Sequence, residues 1–377
     1  MLTAVLLILG GLVLLVGGGD ILVRGASNIA SAIGMSPLVV GLTVVSFATS
    51  APELAVTMGA VRSGSPGLAI GNVVGSNMAN ILLVLGIAAV ITPLAVKSRV
   101  VKLDVPVVIG MSVITTLLAA NGVIAQWQGA VLILLLVAYV FFTVRVGNSA
   151  ATIEEQLIDP IWNEDSPRHR QDAKNQHIAV SIAFVIGGVA LLVGGASLLV
   201  NGATTVARSA GLSDMVIGLT VVAVGTSLPE LATAVVAAMR GERDLAIGNA
   251  VGSNIFNLGA VLGFAALLSP GGIPIPSSAA NFDFILMTGA ALLLLPIAYT
   301  GARVSRWEGG LFVAYYAAYT VYLLLMSTEH ARLLPFSNVM LAFVIPLTAL
   351  IVIVFASSEW RRSHRSADLA EDASSSA

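Results

Sequence analysis

Cysteine is absent from the 377 residues, which excludes a disulfide framework and any metal site built on thiolates. Charge is scarce: Asp, Glu, Lys and Arg make up 10% of the chain, against about 25% in a typical soluble domain. The net charge of -2 is spread thinly, with no basic block of the kind that grips nucleic acid. The stretch behind Met1 lacks the basic opening of a signal peptide, and Gly and Asp stand where small residues would precede cleavage, so it reads as a retained first helix. What fills the chain instead is apolar, with 57% hydrophobic residues and a mean hydropathy of +0.96. That is the composition of a protein that folds in lipid.

A bilayer core about 30 Å thick takes about 20 apolar residues per helix. On that ruler the sequence predicts an all-α polytopic membrane protein with spans near 3-24, 36-61, 68-93, 100-120, 126-146, 178-201, 213-239, 245-269, 281-301, 307-326 and 337-356. The long polar stretch from Gly147 to His177 reads as a connecting loop, and the tail from Arg361, rich in small and polar residues, as disordered. The layout is then a first five-helix repeat (1-146), the loop (147-177), a second five-helix repeat (178-326), an extra C-terminal transmembrane helix (327-360) and the tail (361-377). Cytoplasmic loops carry the excess of Lys and Arg. With the N-terminus outside, the inner loops and tail hold fifteen of the eighteen, leaving Arg62, Arg208 and Arg332 outside. This places the loop and the C-terminus in the cytoplasm and the protein in the inner membrane.

The chain repeats itself. Gly41 to Gly86 and Gly218 to Gly263 match at 26 of 46 positions without a gap, 177 residues apart. Both copies contain Thr-Ser-x-Pro-Glu and Gly-Asn-x-x-Gly-Ser-Asn, strings that apolar composition alone would not reproduce. The offset encloses five spans, an odd number, so the second copy crosses in the opposite direction. This is the inverted-repeat construction of many secondary transporters, whose ion sites lie near the midplane where the halves meet.

Glu53 and Glu230 lie well inside their spans. A carboxylate at a helix centre costs roughly 2.5-3.5 kcal/mol on insertion scales, which makes each a functional candidate. Pro52 and Pro229 lack an N-H, so the carbonyls of Ala48 and Gly225 lose their helical donors and are free to meet a cation. Ser46, Thr49, Ser50 and Glu53 share one helical face, a stripe repeated by Ala223, Thr226, Ser227 and Glu230. The following helices carry Asn72, Ser76 and Asn80, mirrored by Asn249, Ser253 and Asn257. All these side-chain ligands are oxygen donors, which suit a hard cation such as calcium and not a transition metal. Two carboxylates balance one divalent charge, and sodium ions or protons could take its place.

Blander readings exist for each feature. A hydroxyl in a membrane helix usually bonds its own backbone, and a Pro usually kinks the chain. Glu53 and Glu230 could form a structural ion pair, but no Lys or Arg lies at comparable depth. Asn72 and Asn249 fit helix-to-helix glue as well as a site. Gly71-x-x-x-Gly75 and Gly248-x-x-x-Gly252 read as close helix contacts. Gly17-Gly18-Gly19-Asp20 matches a string of intramembrane aspartyl proteases, yet Asp104 and Asp283 lie near span ends and Ser197 takes the mate position of Asp20, so no second aspartate completes such an enzyme. A passive channel would use similar oxygen ligands, but paired carboxylates in inverted repeats favour a carrier.

The two copies resemble the alpha-repeats of the calcium/cation antiporter superfamily, specifically its prokaryotic sodium/calcium exchanger-like branch. The resemblance covers both repeats. It implies two inverted five-helix halves, with ions held between the second, third, seventh and eighth spans. It implies that Glu53 and Glu230 are carboxylate ligands shared by calcium and sodium. It implies that Thr49, Ser50, Ser76, Thr226, Ser227 and Ser253 are hydroxyl or carbonyl ligands, and that Ser46 and Ala223 offer backbone oxygen. Asn80 and Asn257 occupy the remaining central pair, where some relatives carry Asp at the second position; Asn at both removes one negative charge. The implied function is exchange of calcium for sodium, or failing that for protons, by alternating access, with the bilayer and the ions as partners and no cofactor. The span near 337-356 lies outside the ten-helix pattern.

Overall fold

The computed structural model describes residues 1-97, 99-158, 178-211, 221, 223-277, 279-295, 303-328, 330-340 and 342, at backbone level only for 146-158 and Ala223. The helices are α1 (Leu2–Ile33), α2 (Pro37–Arg62), α3 (Pro66–Ile91), α4 (Val100–Ala119), α5 (Gln126–Ile158), α6 (Ile178–Ser209), α7 (Leu228–Met239), α8 (Arg243–Leu268), α9 (Ala279–Leu292), α10 (Arg306–Ser327) and the short α11 (Leu333–Val339). All but α7, α9 and α11 are long and apolar enough to cross a membrane. Residues 212-220 and 222, ahead of α7, and 296-302, after α9, lie outside the described residues. So does the expected span at 337-356 beyond its first positions, and the whole tail.

Local chemistry sets the helix ends. α1 runs about nine residues past its expected end at 24, because Ala-Ser-Asn-Ile-Ala-Ser-Ala-Ile carries no breaker; it stops at Gly34, whose φ of 67° closes the helix in the left-handed region. Ser36 accepts the Val39 N-H ahead of Pro37, starting α2. Ser305 and Glu308 form a capping box at the start of α10. α5 continues to Ile158, so the first third of the stretch expected as a loop is helical; its Ala, Glu, Gln and Leu are good helix formers outside the membrane too.

α1 and α6 pack backbone to backbone. Glycines recur every seventh residue on both, Gly11, Gly18 and Gly25 against Gly188, Gly195 and Gly202. A Cβ on Gly18 would stand 2.9 Å from the Gly188 carbonyl oxygen, one on Gly195 2.8 Å from that of Gly11, and one on Gly25 2.8 Å from that of Ser181. The partners run in reverse order, so two helices with matching sequence lie antiparallel. This is the geometry an inverted repeat demands.

Two short ladders tie the halves together. Leu94 and Ala95 pair antiparallel with Val304 and Arg303, and Val123 and Ile124 pair with Pro274 and Ile273. π-helical turns also recur by repeat: Ala79–Val84 matches Asn257–Leu262, and Val100–Asp104 matches Ala279–Asp283. Such turns insert a residue into the ladder and often mark functional sites. The last pair ends in Asp104 and Asp283, which lie at span ends as expected. Asp104 is nonetheless fully buried and accepts the Tyr139 hydroxyl at 2.9 Å, while Asp283 accepts that of Tyr319. Most enclosed are α8 and α3, with 83% and 72% of their apolar windows buried against 28% for α1 and for α6. The core therefore lies at α3 and α8, flanked by the α1-α6 pair.

Candidate cation site

α2 is not one continuous helix. A π-turn at Gly41–Val45 and a helical turn at Ser46–Thr49 end at Ser50, with φ -80° and ψ 0°, and the helix resumes at Ala51. The second copy breaks at the matching residue: Ala223–Thr226 ends at Ser227, with φ -89° and ψ 7°, and α7 begins at Leu228. Pro52 and Pro229 take early positions in the resumed halves, where a missing N-H costs nothing. Glu53 and Glu230 fall in the first turn, where unpaired amides and the positive helix end favour a carboxylate.

Both glutamates are fully buried, and Glu53 lies close enough to Glu230 for their charges to interact. Among the described residues neither carboxylate has a partner at hydrogen-bond geometry. The same holds for the hydroxyls of Ser50 and Ser227 and for both amide atoms of Asn80 and Asn257, all in buried residues. These six residues are three pairs at the repeat offset. Among the described residues no group of three or more His, Cys, Asp or Glu gathers, so no third acidic residue joins the two glutamates there.

The surrounding polar groups are engaged. Asn72 Nδ2 donates to the Glu53 carbonyl at 3.1 Å and to Thr57 Oγ1 at 2.9 Å; Asn249 Nδ2 donates to the Glu230 carbonyl at 3.3 Å. Thr49 Oγ1 donates to Asn249 Oδ1 at 3.1 Å and lies 3.4 Å from Ser253 Oγ, while its mate Thr226 lies 3.5 Å from Ser76 Oγ. Each threonine thus reaches a serine of the opposite repeat. Ser46 Oγ donates to the Gly41 carbonyl at 2.7 Å, and its main-chain oxygen accepts the Ser50 N-H at 3.0 Å and lies 3.4 Å from the Thr49 hydroxyl. Ala223 has only its backbone to give.

The sequence stripes are brought together, but not as uniform faces. Asn72 is tied to the backbone of α2 while Asn80, two turns on, is unpartnered; the π-turn at Ala79–Val84 begins between Ser76 and Asn80 and turns it away from the α-helical register. Gly248 and Gly252 make the close contact expected of them: a Cβ on either would stand 2.8 Å from a carbonyl oxygen of α2, that of Leu38 or Leu42. Gly71 and Gly75 have nothing within 4 Å among the described residues, and the matching partners, 215 to 219, lie outside them. Sequence reading missed the two Asp-Tyr pairs. Their signal was a weaker repeat, 179 residues between the aspartates and 180 between the tyrosines.

Known proteins share this sequence pattern and fold. The chain matches the sodium/calcium exchanger protein family over residues 3–145 and 180–325. It is 34% identical over 344 residues to the sodium/calcium exchanger MaX1 of Methanosarcina acetivorans, covering 84% of this chain and 97% of that one. It is 36% identical over 297 residues to the inner membrane protein YrbG of Escherichia coli, covering 78% and 89%. Solved structures of the sodium-calcium exchanger NCX_Mj superpose with a TM-score of 0.70 at 32% identity, over 84% of this chain and 97% of theirs. The halves, the broken helices and the relatives agree: this chain belongs to the sodium/calcium exchanger protein family and is a multi-pass cation antiporter of the calcium/cation antiporter superfamily.

Proposed function

We propose that the protein exchanges calcium for sodium by alternating access, with the ions bound midway across the membrane between Glu53 and Glu230. One observation carries this reading. Ser50, Glu53 and Asn80, and their mates Ser227, Glu230 and Asn257, hold buried polar atoms without partners. A neutral group left so costs about 1–3 kcal/mol and a buried charge several, and a cation among them would supply a partner for the carboxylate, hydroxyl and amide oxygens. Thr49, Ser76, Thr226 and Ser253, with the main-chain oxygens of Ser46 and Ala223, complete the ligand set. Hydroxyl and amide oxygens are of use to sodium and calcium; protons would need the carboxylates alone. The names of MaX1 and NCX_Mj support sodium as the counter-ion.

Crossing without an ion would carry two unneutralised carboxylates through a low-dielectric interior, which is unfavourable. Coupling follows, because the site changes sides only when loaded. The moving body is the α1-α6 pair, fused by its glycine seam, travelling across the core of α2, α3, α7 and α8. The N-terminus faces outward and the 147-177 segment the cytoplasm, in an inner membrane.

Calcium uptake into proteoliposomes, driven separately by outward sodium and outward proton gradients, tests the reading. Uptake with sodium that is abolished by Glu53→Gln, in a protein with unchanged melting behaviour, is the expected result. Uptake with protons alone would replace the counter-ion, and retained exchange at normal affinity in Glu53→Gln would remove the site.

A further inference from the structure

Among the described residues, the pseudo-symmetry that relates the halves is broken by a charged contact between α1 and the end of α7. Asp20 of α1 accepts from Arg24, one turn later, with Nε 3.0 Å from Oδ2, and its other oxygen is bonded to Arg240. Arg240 immediately follows α7, the helix whose first turn holds Glu230. Next to Asp20, a Cβ on Gly19 would stand 3.2 Å from the Ala232 carbonyl oxygen and 3.3 Å from Val236 Cγ2. The ion pair therefore closes a tight contact between the α1-α6 body and the ion-binding core.

At the repeat offset of 177, Asp20 maps to Ser197, Arg24 to Asn201, and Ser63 to Arg240. The mirror contact carries no charge. Ser197 donates to the Val193 carbonyl at 2.9 Å and Ser63 to that of Ala60 at 3.0 Å, each turned onto its own helix. In an inverted-repeat transporter the two access states arise when the halves exchange conformations. A contact present in both halves supports both states alike; one present in a single half supports one of them.

We propose that Asp20, Arg24 and Arg240 form a one-sided latch, which favours the conformation of this structure over its mirror state and so sets their relative populations. The inference rests on the alternating-access reading above. Because the three side chains are 31%, 56% and 34% exposed, screening by water limits the effect to about two- to fivefold in that population ratio.

The natural chain has no cysteine, so Val236→Cys, a site covered by α1, is a single reporter that needs no transport. In liposomes, Asp20→Asn and Arg240→Gln should each raise its rate of labelling by a small thiol reagent about two- to fivefold. The double variant should add nothing further, since one contact is lost only once. Unchanged labelling would overturn the latch. So would calcium half-saturation that moves in the same direction on both membrane faces, the mark of a merely structural contact. A latch moves the two in opposite directions, because each face sees only its competent fraction. Should the unsubstituted protein carry no calcium, the exchange reading fails on that result while labelling still decides the latch.

Discussion

Asn72 sits one helix away from the carboxylate it serves, and it acts on the backbone of Glu53 instead of its side chain. Its amide ties the Glu53 carbonyl and Thr57 to α3, holding the start of the resumed helix against its neighbour just where the carboxylate must meet an ion. Asn72→Ala removes two hydrogen bonds worth about 1 kcal/mol each, and calcium half-saturation should rise roughly five- to thirtyfold, with the bound protein still folded. A proteoliposome titration checks this; unchanged half-saturation would make Asn72 plain glue between helices. The residue types of this neighbourhood were legible in the repeated strings, because only polar groups resist the apolar background of a membrane helix. Their division of labour was not. Asn72 and Asn80 stand on the same stripe in sequence, and only the π-turn at Ala79–Val84 separates the one that holds backbone from the one left without a partner.

α1 and α6 raise the question of how a pair of helices can move without coming apart. Lipid gives no hydrophobic drive to hold them together, so association depends on close packing, and their glycines bring the backbones into contact along several turns. Gly18→Val would force a side chain against the Gly188 carbonyl and the Leu192 amide, a clash of about 1–3 kcal/mol or more. The melting temperature in detergent should fall and transport should be lost. Gly17→Ala, at a position with nothing within 4 Å, should alter neither. Equal tolerance of both substitutions would mean that the seam does not hold the pair. The seven-residue glycine spacing was there to be read in both copies, but it lies outside the segment of highest identity, and attention to Gly-x-x-x-Gly leads elsewhere. The eight long apolar helices came more easily, since length and hydropathy alone set them. The extension of α5 to Ile158 did not, because polar residues exclude lipid without excluding helix.

Across the whole molecule, the inverted repeat sends equivalent connections to opposite membrane faces. The α3-α4 connection, with Leu94 and Ala95, is laddered to the α9-α10 connection, and α4-α5 to α8-α9; each ladder joins segments that a ten-crossing chain brings to the same face. Lys97 bonds Asp244 at 3.0 Å, which gathers the α3-α4 and α7-α8 connections together beside the Asp20-Arg240 contact. The richest supply of Lys and Arg lies on that face, which the proposed orientation makes the cytoplasmic one. A cysteine-free chain allows a direct check with single replacements. Ser63→Cys, between α2 and α3, should react with a membrane-impermeant maleimide in intact cells, while Arg243→Cys, at the start of α8, should react only after the membrane is opened. The reverse pattern would invert the orientation and with it the face on which the latch acts, and labelling of both sites in intact cells would break the odd count of crossings between them on which the inverted repeat depends.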